Sequence, residues 1–312
     1  MLAFIPYFPP PVFSIFGIPL DSWSLLVALG FILGMEFGRA RAIHLGLEIK
    51  DIVDGALFIV GMGFVFGHWV YVLAYHPEML DEYGWSIMWQ IWAGQSSNGG
   101  FLGAIIGTMI WFQKIRPRPF WLHADTIAYG FPFGLCLGRI GCFTAHDHVG
   151  ARTDFFLAVN FPSDAYGGYY GGPRHDLGLY EAIYLFFMSL VFWLVRKKDL
   201  HHSSFAILFC FLYAPVRFCF DFLRSTDLQN SDIRYAGLTP AQYGSIILFI
   251  AGSILFLRRK QEDTYTFVTP EDQDDHNYQE EQAKLLEQHL DEQLDEQNIA
   301  INTEENTEKN HR

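Results

Sequence analysis

Three arginines, Arg139, Arg217 and Arg224, lie in or at the ends of stretches otherwise rich in Phe, Leu, Cys and Gly. A guanidinium at the centre of a bilayer costs about 2.5–3.5 kcal/mol, so each one needs a partner, a cavity or a ligand. Arg217, Asp221 and Arg224 are spaced i, i+4 and i+7, which predicts one shared helix face. Three guanidinium groups against one carboxylate leave a positive balance that suits a phosphate diester. The plainer alternatives are snorkelling side chains or an ion pair that only packs helices. Around Arg139, residues Gly138–Gly150 read GRIGCFTAHDHVG. The glycines there allow backbone to approach a ligand closely. His146 and His148 flank Asp147, and an imidazole with a reference pKa of about 6.5 can accept a proton from a nucleophile. On an extended segment both imidazoles line one pocket; on a helix they diverge. The bland alternative is a solvated polar loop. Two histidines and an aspartate within three residues do not converge on one ion without strain, so neither a metal nor another cofactor is expected.

The elements that must hold these groups are apolar. Of 312 residues, 51% are hydrophobic and 17% aromatic, with 30 Phe. Apolar stretches near Ser22–Gly38, Ile52–Tyr75, Asn98–Phe112, Leu122–Ala145, Leu177–Val195, Phe205–Arg224 and Ala241–Leu257 predict about seven transmembrane helices. The expected fold is an all-α polytopic membrane protein of residues 1–260, with a small external segment. Gly99, Gly100, Gly103 and Gly107 make the third stretch a close-packing helix. His68 reads as a helix–helix hydrogen bond, and Asp125 with His123 as an interfacial pair. Alternate loops hold 12 Lys and Arg residues; the opposite loops hold only Arg152, Arg174 and Arg234. The positive-inside rule then puts the N-terminus outside and the C-terminus in the cytoplasm. No Lys or Arg occurs in residues 1–21, so the positive start of a cleaved leader is missing and the first apolar segment is expected to be retained.

The net charge of −13 misleads until it is located. Residues 261–312 hold 16 of the 34 acidic residues and only three bases, so this acidic tail carries the whole imbalance. Leu285, Leu286, Leu290 and Leu294 predict at most a weak amphipathic helix there, in a disorder-prone composition facing the cytoplasm. An acidic chain lacks the basic footprint of a nucleic-acid binder. Cys136, Cys142, Cys210 and Cys219 sit in apolar stretches without C-x-x-C spacing, which predicts free buried thiols.

In order along the chain come SSNGGFLGA (Ser96–Ala104), the Gly138–Gly150 motif, RHDLGLYEA (Arg174–Ala182) and RFCFDFLRSTD (Arg217–Asp227). Together they resemble the prolipoprotein diacylglyceryl transferase family over about residues 15–258. The resemblance implies a bacterial inner-membrane enzyme that uses phosphatidylglycerol as donor. The acceptor it implies is the thiol of the lipobox cysteine in a preprolipoprotein signal peptide. The product is a thioether, and glycerol 1-phosphate leaves. Arg139, Asp147, Arg217 and Asp221 then occupy catalytic positions, with His146 and His148 as candidate bases. Asn98, Gly99, Gly100, Gly150, Tyr180, Glu181, Arg224 and Gln242 join Arg139 and Arg217 as substrate-binding positions. Three residues depart from the pattern: Cys142 replaces the motif asparagine, Asn98 a histidine and Trp23 an early tyrosine. These departures leave the general base open, with His175 as a further candidate. They also motivate the alternative of a diverged paralogue with another donor lipid or no activity. A transporter is the alternative from another class, but the chain shows no internal repeat and its charges cluster toward one membrane face.

Overall fold

The seven apolar stretches are all helical in the computed structural model, which describes residues 5–15, 18–163, 171–198, 200–228 and 234–258. The tail expected to be weakly helical lies outside the described residues. The helices are α1 (Ser22–His44), α2 (Ile49–Val70), α3 (Glu78–Tyr83), α4 (Ser97–Ile110), α5 (Phe120–Ala145), α6 (Leu177–Val195), α7 (Ser204–Phe220) and α8 (Pro240–Arg258). Wide turns extend α2 through Tyr71–Tyr75 and α4 through Trp111–Ile115. Among the described residues, six helices are long and apolar enough to cross a membrane. The 14-residue α4 is the exception. The described elements form one unit, the turn His44–Gly46 excepted.

Glycine sets the helix pairing. A Cβ on Gly130 would sit 2.0 Å from the Gly34 carbonyl oxygen, and one on Gly134 2.5 Å from that of Gly30. The α1 and α5 backbones therefore touch along one seam. Gly99, Gly103 and Gly107 of α4 make a second seam, where added Cβ atoms would meet Phe66 O, Met62 O and the Met62 side chain of α2. Small residues four apart give this close approach when the hydrophobic effect cannot drive association.

Short strands, which the sequence reading did not name, tie the loops at one end of the bundle. β1 (Ile5–Pro6), β5 (Val159–Phe161), β6 (Gly172–Asp176) and β4 (Val149–Arg152) form one sheet in the order β1-β5-β6-β4. The pair β2 (Val12–Ile15) and β3 (Ile18–Asp21) forms a separate hairpin ahead of α1. Thus β4 leaves the end of α5 and β6 delivers the chain to α6. Gly178, in the first turn of α6, sits against the last turn of α5; a Cβ there would lie 2.6 Å from Phe143 N.

Two expected pairings are replaced by other contacts. His68 does not bridge helices. Its Nε2 faces Ile87 O at 2.7 Å and its Nδ1 faces Gly94 O at 3.0 Å. With the Trp69 indole donating to Met88 O, it pins the connection between α2 and α4. That connection presents Trp85, Trp89 and Trp92, each more than three-quarters exposed, as tryptophans at a membrane–water interface do. Asp125 does not pair with His123. It accepts from the Phe205 and Ala206 amides at 3.1 and 2.7 Å, capping α7 from a neighbouring helix.

Candidate active site

The end of α5, the start of α6, the end of α7 and the start of α8 converge, and each brings charge. Glu181 stands at the centre, almost fully buried. Its carboxylate lies 3.0 Å from Arg139 Nε and 3.4 Å from Arg217 Nε. Tyr213 donates to the same carboxylate at 3.0 Å. Arg217 also donates to Asp221 at 2.7 Å, Arg224 reaches Asp221 at 2.9 Å, and Thr239 donates its hydroxyl to the second Asp221 oxygen. The three arginines therefore gather on two carboxylates, and the charge of Arg139 also reaches Asp147. Among the described residues, Arg139 Nε and Glu181 Oε1 make no aligned hydrogen bond. Their ion pairs are charge contacts between buried side chains.

The expectation of a single helical face for Arg217, Asp221 and Arg224 needs correction. α7 ends at Phe220, residues Asp221–Leu223 tighten to a 3-10 turn, and Arg224 is extended. The Arg224 backbone pairs with Gly150 instead of continuing the helix. Gly150 is required for that pairing, since a Cβ there would lie 2.6 Å from Leu223 O. The carboxylate of Asp221 nonetheless gathers both arginines.

The two motif histidines part company. Asp147 N bonds to Cys142 O and His146 N to Phe143 O. This is a Schellman end for α5, with His146 in the left-handed position (φ 50°) that glycine usually fills. The segment is neither extended nor helical there, so the two imidazoles cannot line one pocket. His146 turns into a cage of Tyr7, Phe8, Phe143 and Phe161. Its Nδ1 meets Asp176 at 2.9 Å and its Nε2 meets Phe8 O at 3.2 Å. Asp176 also caps α6 through the Leu179 amide. Burial pushes its carboxyl above the usual range in spite of the His146 hydrogen bond. His146 therefore holds the turn and does not face the arginines.

His148 does face them. Its Nε2 lies 2.9 Å from Arg139 Nη1 and its Nδ1 2.6 Å from Asp147 Oδ1. A neutral ring satisfies both by donating from Nδ1 and accepting at Nε2. Burial works to raise the Asp147 carboxyl, but the His148 hydrogen bond and the charges of His148 and Arg139 outweigh it and hold it low. Cys142 lies 3.9 Å from Arg139 Nη1, and Trp23 of α1 packs beside the neighbouring Gly141. Two of the three departures from the family pattern are thus neighbours.

The other expected residues fall around this centre. Tyr180 donates to or accepts from His175 Nδ1 at 2.9 Å, and burial pushes His175 down. Gln242 is fully buried but engaged in a capping box: its side chain accepts from Thr239 N while Thr239 Oγ1 accepts from Gln242 N. Asn98 donates to Tyr75 OH at 2.9 Å and lies near Gly244 of α8. Gly99 lies inside the α2–α4 seam rather than at a ligand face, and Gly100 beside it. Four residues were missed. Arg174, fully buried, donates to both Asp227 oxygens at 3.0 and 2.6 Å and to Gly150 O. Asp227, Tyr213 and Thr239 are the others. Tyr213 was findable, one helical turn before Arg217.

Seven apolar helices around a buried arginine–carboxylate network make this a multi-pass membrane protein with a polar site at one end of its bundle. The prolipoprotein diacylglyceryl transferase family model matches residues 10–258. The chain belongs to that family and is a transferase. A phosphatidylglycerol–prolipoprotein diacylglyceryl transferase of Mannheimia succiniciproducens is 36% identical over 234 residues, covering 73% of this chain and 84% of its own length. The protein of that name from Pasteurella multocida is 35% identical, covering 81% and 92%. The one from Nitratidesulfovibrio vulgaris is 33% identical, covering 83% and 97%.

Proposed function

We propose that the chain moves the diacylglyceryl group of phosphatidylglycerol to the thiol of a lipobox cysteine in a preprolipoprotein signal peptide. The sulfur forms a thioether with the glyceryl carbon, the carbon–oxygen bond to phosphate breaks, and glycerol 1-phosphate leaves. The observation that carries this reading is the network of Arg139, Arg217 and Arg224 about Glu181 and Asp221. Its three clustered guanidinium groups suit the negative charge and planar oxygens of a phosphodiester. As the bond breaks, charge grows on the phosphate, and donors already in place stabilise it without reorganising. Arg139 contributes most directly, because it stands between Glu181 and the corner of Cys142 and His148.

The thiol belongs at the other side of Arg139, in the corner of Cys142, Asp147 and His148. A free thiol has a pKa of about 8.5, so it needs help to become a thiolate. Gly150 and the Arg174–Asp227 pair hold that corner against the arginine element. The excess of Lys and Arg in alternate loops supports an orientation in the bacterial inner membrane with this end of the bundle and the N-terminus external and the C-terminus cytoplasmic. That is the side where a secreted precursor presents its lipobox.

The test is complementation. A bacterium depleted of its own transferase and supplied with this gene should again make lipidated lipoprotein. Accumulation of unmodified precursor, with the protein inserted in the membrane, contradicts the reading.

A further inference from the structure

The end of α7 carries half of the arginine network, and a different helix holds it in shape. α7 stops at Phe220, a 3-10 turn spans Asp221–Leu223, and Arg224 is extended. Backbone carbonyls in such a stretch lose their helical partners and need others. The start of α8 supplies them. Gln242 Nε2 donates to Phe218 O at 3.3 Å, and Thr239 donates its hydroxyl to Asp221 Oδ2. Both donors belong to the capping box that opens α8, and both residues are fully buried. The box therefore caps α8 and also fixes the segment that presents Arg217, Asp221 and Arg224.

The Thr239 hydroxyl decides how Asp221 meets its arginines. Arg217 Nη1 and Arg224 Nε both donate to Asp221 Oδ1, at 2.7 and 2.9 Å. A carboxylate with both oxygens open favours a two-bonded fork with one guanidinium. That fork would turn Asp221 toward one arginine and away from the other. With Oδ2 held by Thr239, the two cations stay side by side on a single oxygen. The hydroxyl is fixed from both ends, since its one hydrogen goes to Asp221 and its oxygen accepts from Gln242 N at 3.2 Å.

We propose that Thr239 is a positioning residue for the donor lipid: through Asp221 it keeps Arg217 and Arg224 together, so that both meet the phosphate of phosphatidylglycerol. The choice of lipid rests on the transfer reading above. Thr239 has no exposed surface, so it acts through Asp221 and not by touching the lipid. Valine has the shape of threonine without the hydroxyl, and serine has the hydroxyl without the methyl group.

The test compares Thr239→Val, Thr239→Ser and Thr126→Val in the full-length protein. Thr126 is an equally buried hydroxyl that donates to Leu122 O within α5, so its loss removes a similar hydrogen bond away from Asp221. Transfer is measured against phosphatidylglycerol at saturating lipobox peptide, and against peptide at saturating lipid. Thr239→Val should lower kcat about tenfold, less than the loss of a donor outright, because the arginines are displaced and not removed. Its KM for the peptide should stay within about twofold of the wild type. Thr239→Ser should recover most of the rate, and Thr126→Val should keep it. Thr239→Cys, a weaker donor, covers the case in which the valine variant does not fold; its rate should lie below that of serine. Thermal unfolding in detergent gives a second readout. Phosphatidylglycerol should stabilise the wild type and Thr239→Ser more than phosphatidylcholine does, and Thr239→Val should lose that preference. Wild-type kcat or a retained lipid preference in Thr239→Val, no recovery in Thr239→Ser, a cysteine variant as fast as serine, or an equal fall in Thr126→Val overturns the proposal. A wild type that prefers phosphatidylglycerol yet modifies no lipobox peptide counts against the transfer reading. The lipid preference of Thr239→Val then decides the positioning role by itself, its loss supporting the role and its retention overturning it.

Discussion

The molecule carries two arginine–carboxylate clusters, and they differ in ways that separate chemistry from architecture. In the first, Arg116 and Arg118 gather on Asp51 and Glu48 beside the start of α2. Those arginine side chains are 40–45% exposed. Water screens the arginines and Glu48, while Asp51 beneath them is buried, so this cluster ties down the start of α2 from the surface. In the second, Arg139 and Arg217 are at most 9% exposed and share Glu181 between them. Three cations gather there on two carboxylates deep in the bundle. Buried guanidinium groups so concentrated are the feature on which the proposed phosphate site rests.

The largest effect that separates the two clusters should be on transfer rate. Arg139→Ala and Arg217→Ala should each lower diacylglyceryl transfer by about 10²–10³-fold, the size expected for losing a preorganised donor to a developing oxyanion. Arg217→Lys should recover only part, because an ammonium lacks the planar fork. Arg118→Ala should leave transfer within about twofold, as for a screened pair. Full activity in Arg139→Ala removes the phosphate-clamp account.

Next in size comes stability. Glu181→Gln leaves Arg139 and Arg217 buried without their shared carboxylate, which costs about 3 kcal/mol or more. Thermal unfolding in detergent should show the loss. Added phosphatidylglycerol should restore more of it than phosphatidylcholine does, because its phosphate charge is not offset by a choline cation. Equal recovery with both lipids argues that the site does not read the headgroup. His146→Asn sharpens the contrast within the motif. It should destabilise by about 3 kcal/mol, through the buried Asp176 partner it abandons. The fraction that folds should keep its lipid response.

How much of this was legible follows from which forces are local. Apolar runs announced the six helices long enough to cross a membrane among the described residues and the shorter α4, because length and hydropathy decide whether a segment suits a bilayer. Arginines in apolar runs announced a buried charge cluster, because their cost demands partners. The Schellman turn at His146 was hidden: position C′ usually signals itself by glycine, and here an aromatic cage and Asp176 hold a histidine in that conformation. The strands were hidden because segments of two to five residues carry no readable alternation. Gln242 was visible as the last member of a T-x-x-Q capping box at Thr239, yet family position drew it toward the ligand. Arg174 looked like an ordinary loop base until Asp227, 53 residues later, came beside it.

The smallest expected effect concerns that pair and pH. The Arg174 hydrogen bond holds the Asp227 carboxyl below its ordinary range. Its stabilising contribution is therefore present above the ordinary carboxylate pKa and lost as pH falls through the lowered value. Asp227 is half exposed, so screening keeps this contribution under about 1 kcal/mol. Asp227→Asn should lower the unfolding midpoint slightly at pH 6 and flatten its fall below about pH 4. A larger drop at acid pH in the variant than in the wild type contradicts the assignment.

The most direct measurement uses proteoliposomes containing phosphatidylglycerol labelled in its diacylglyceryl group. Two lipobox peptides are offered that differ only in cysteine or serine at the acceptor position. The account predicts label on the cysteine peptide alone, in a linkage stable to base treatment once the acyl esters are removed, with glycerol 1-phosphate released in equal amount. Label on neither peptide, or on both alike, contradicts it.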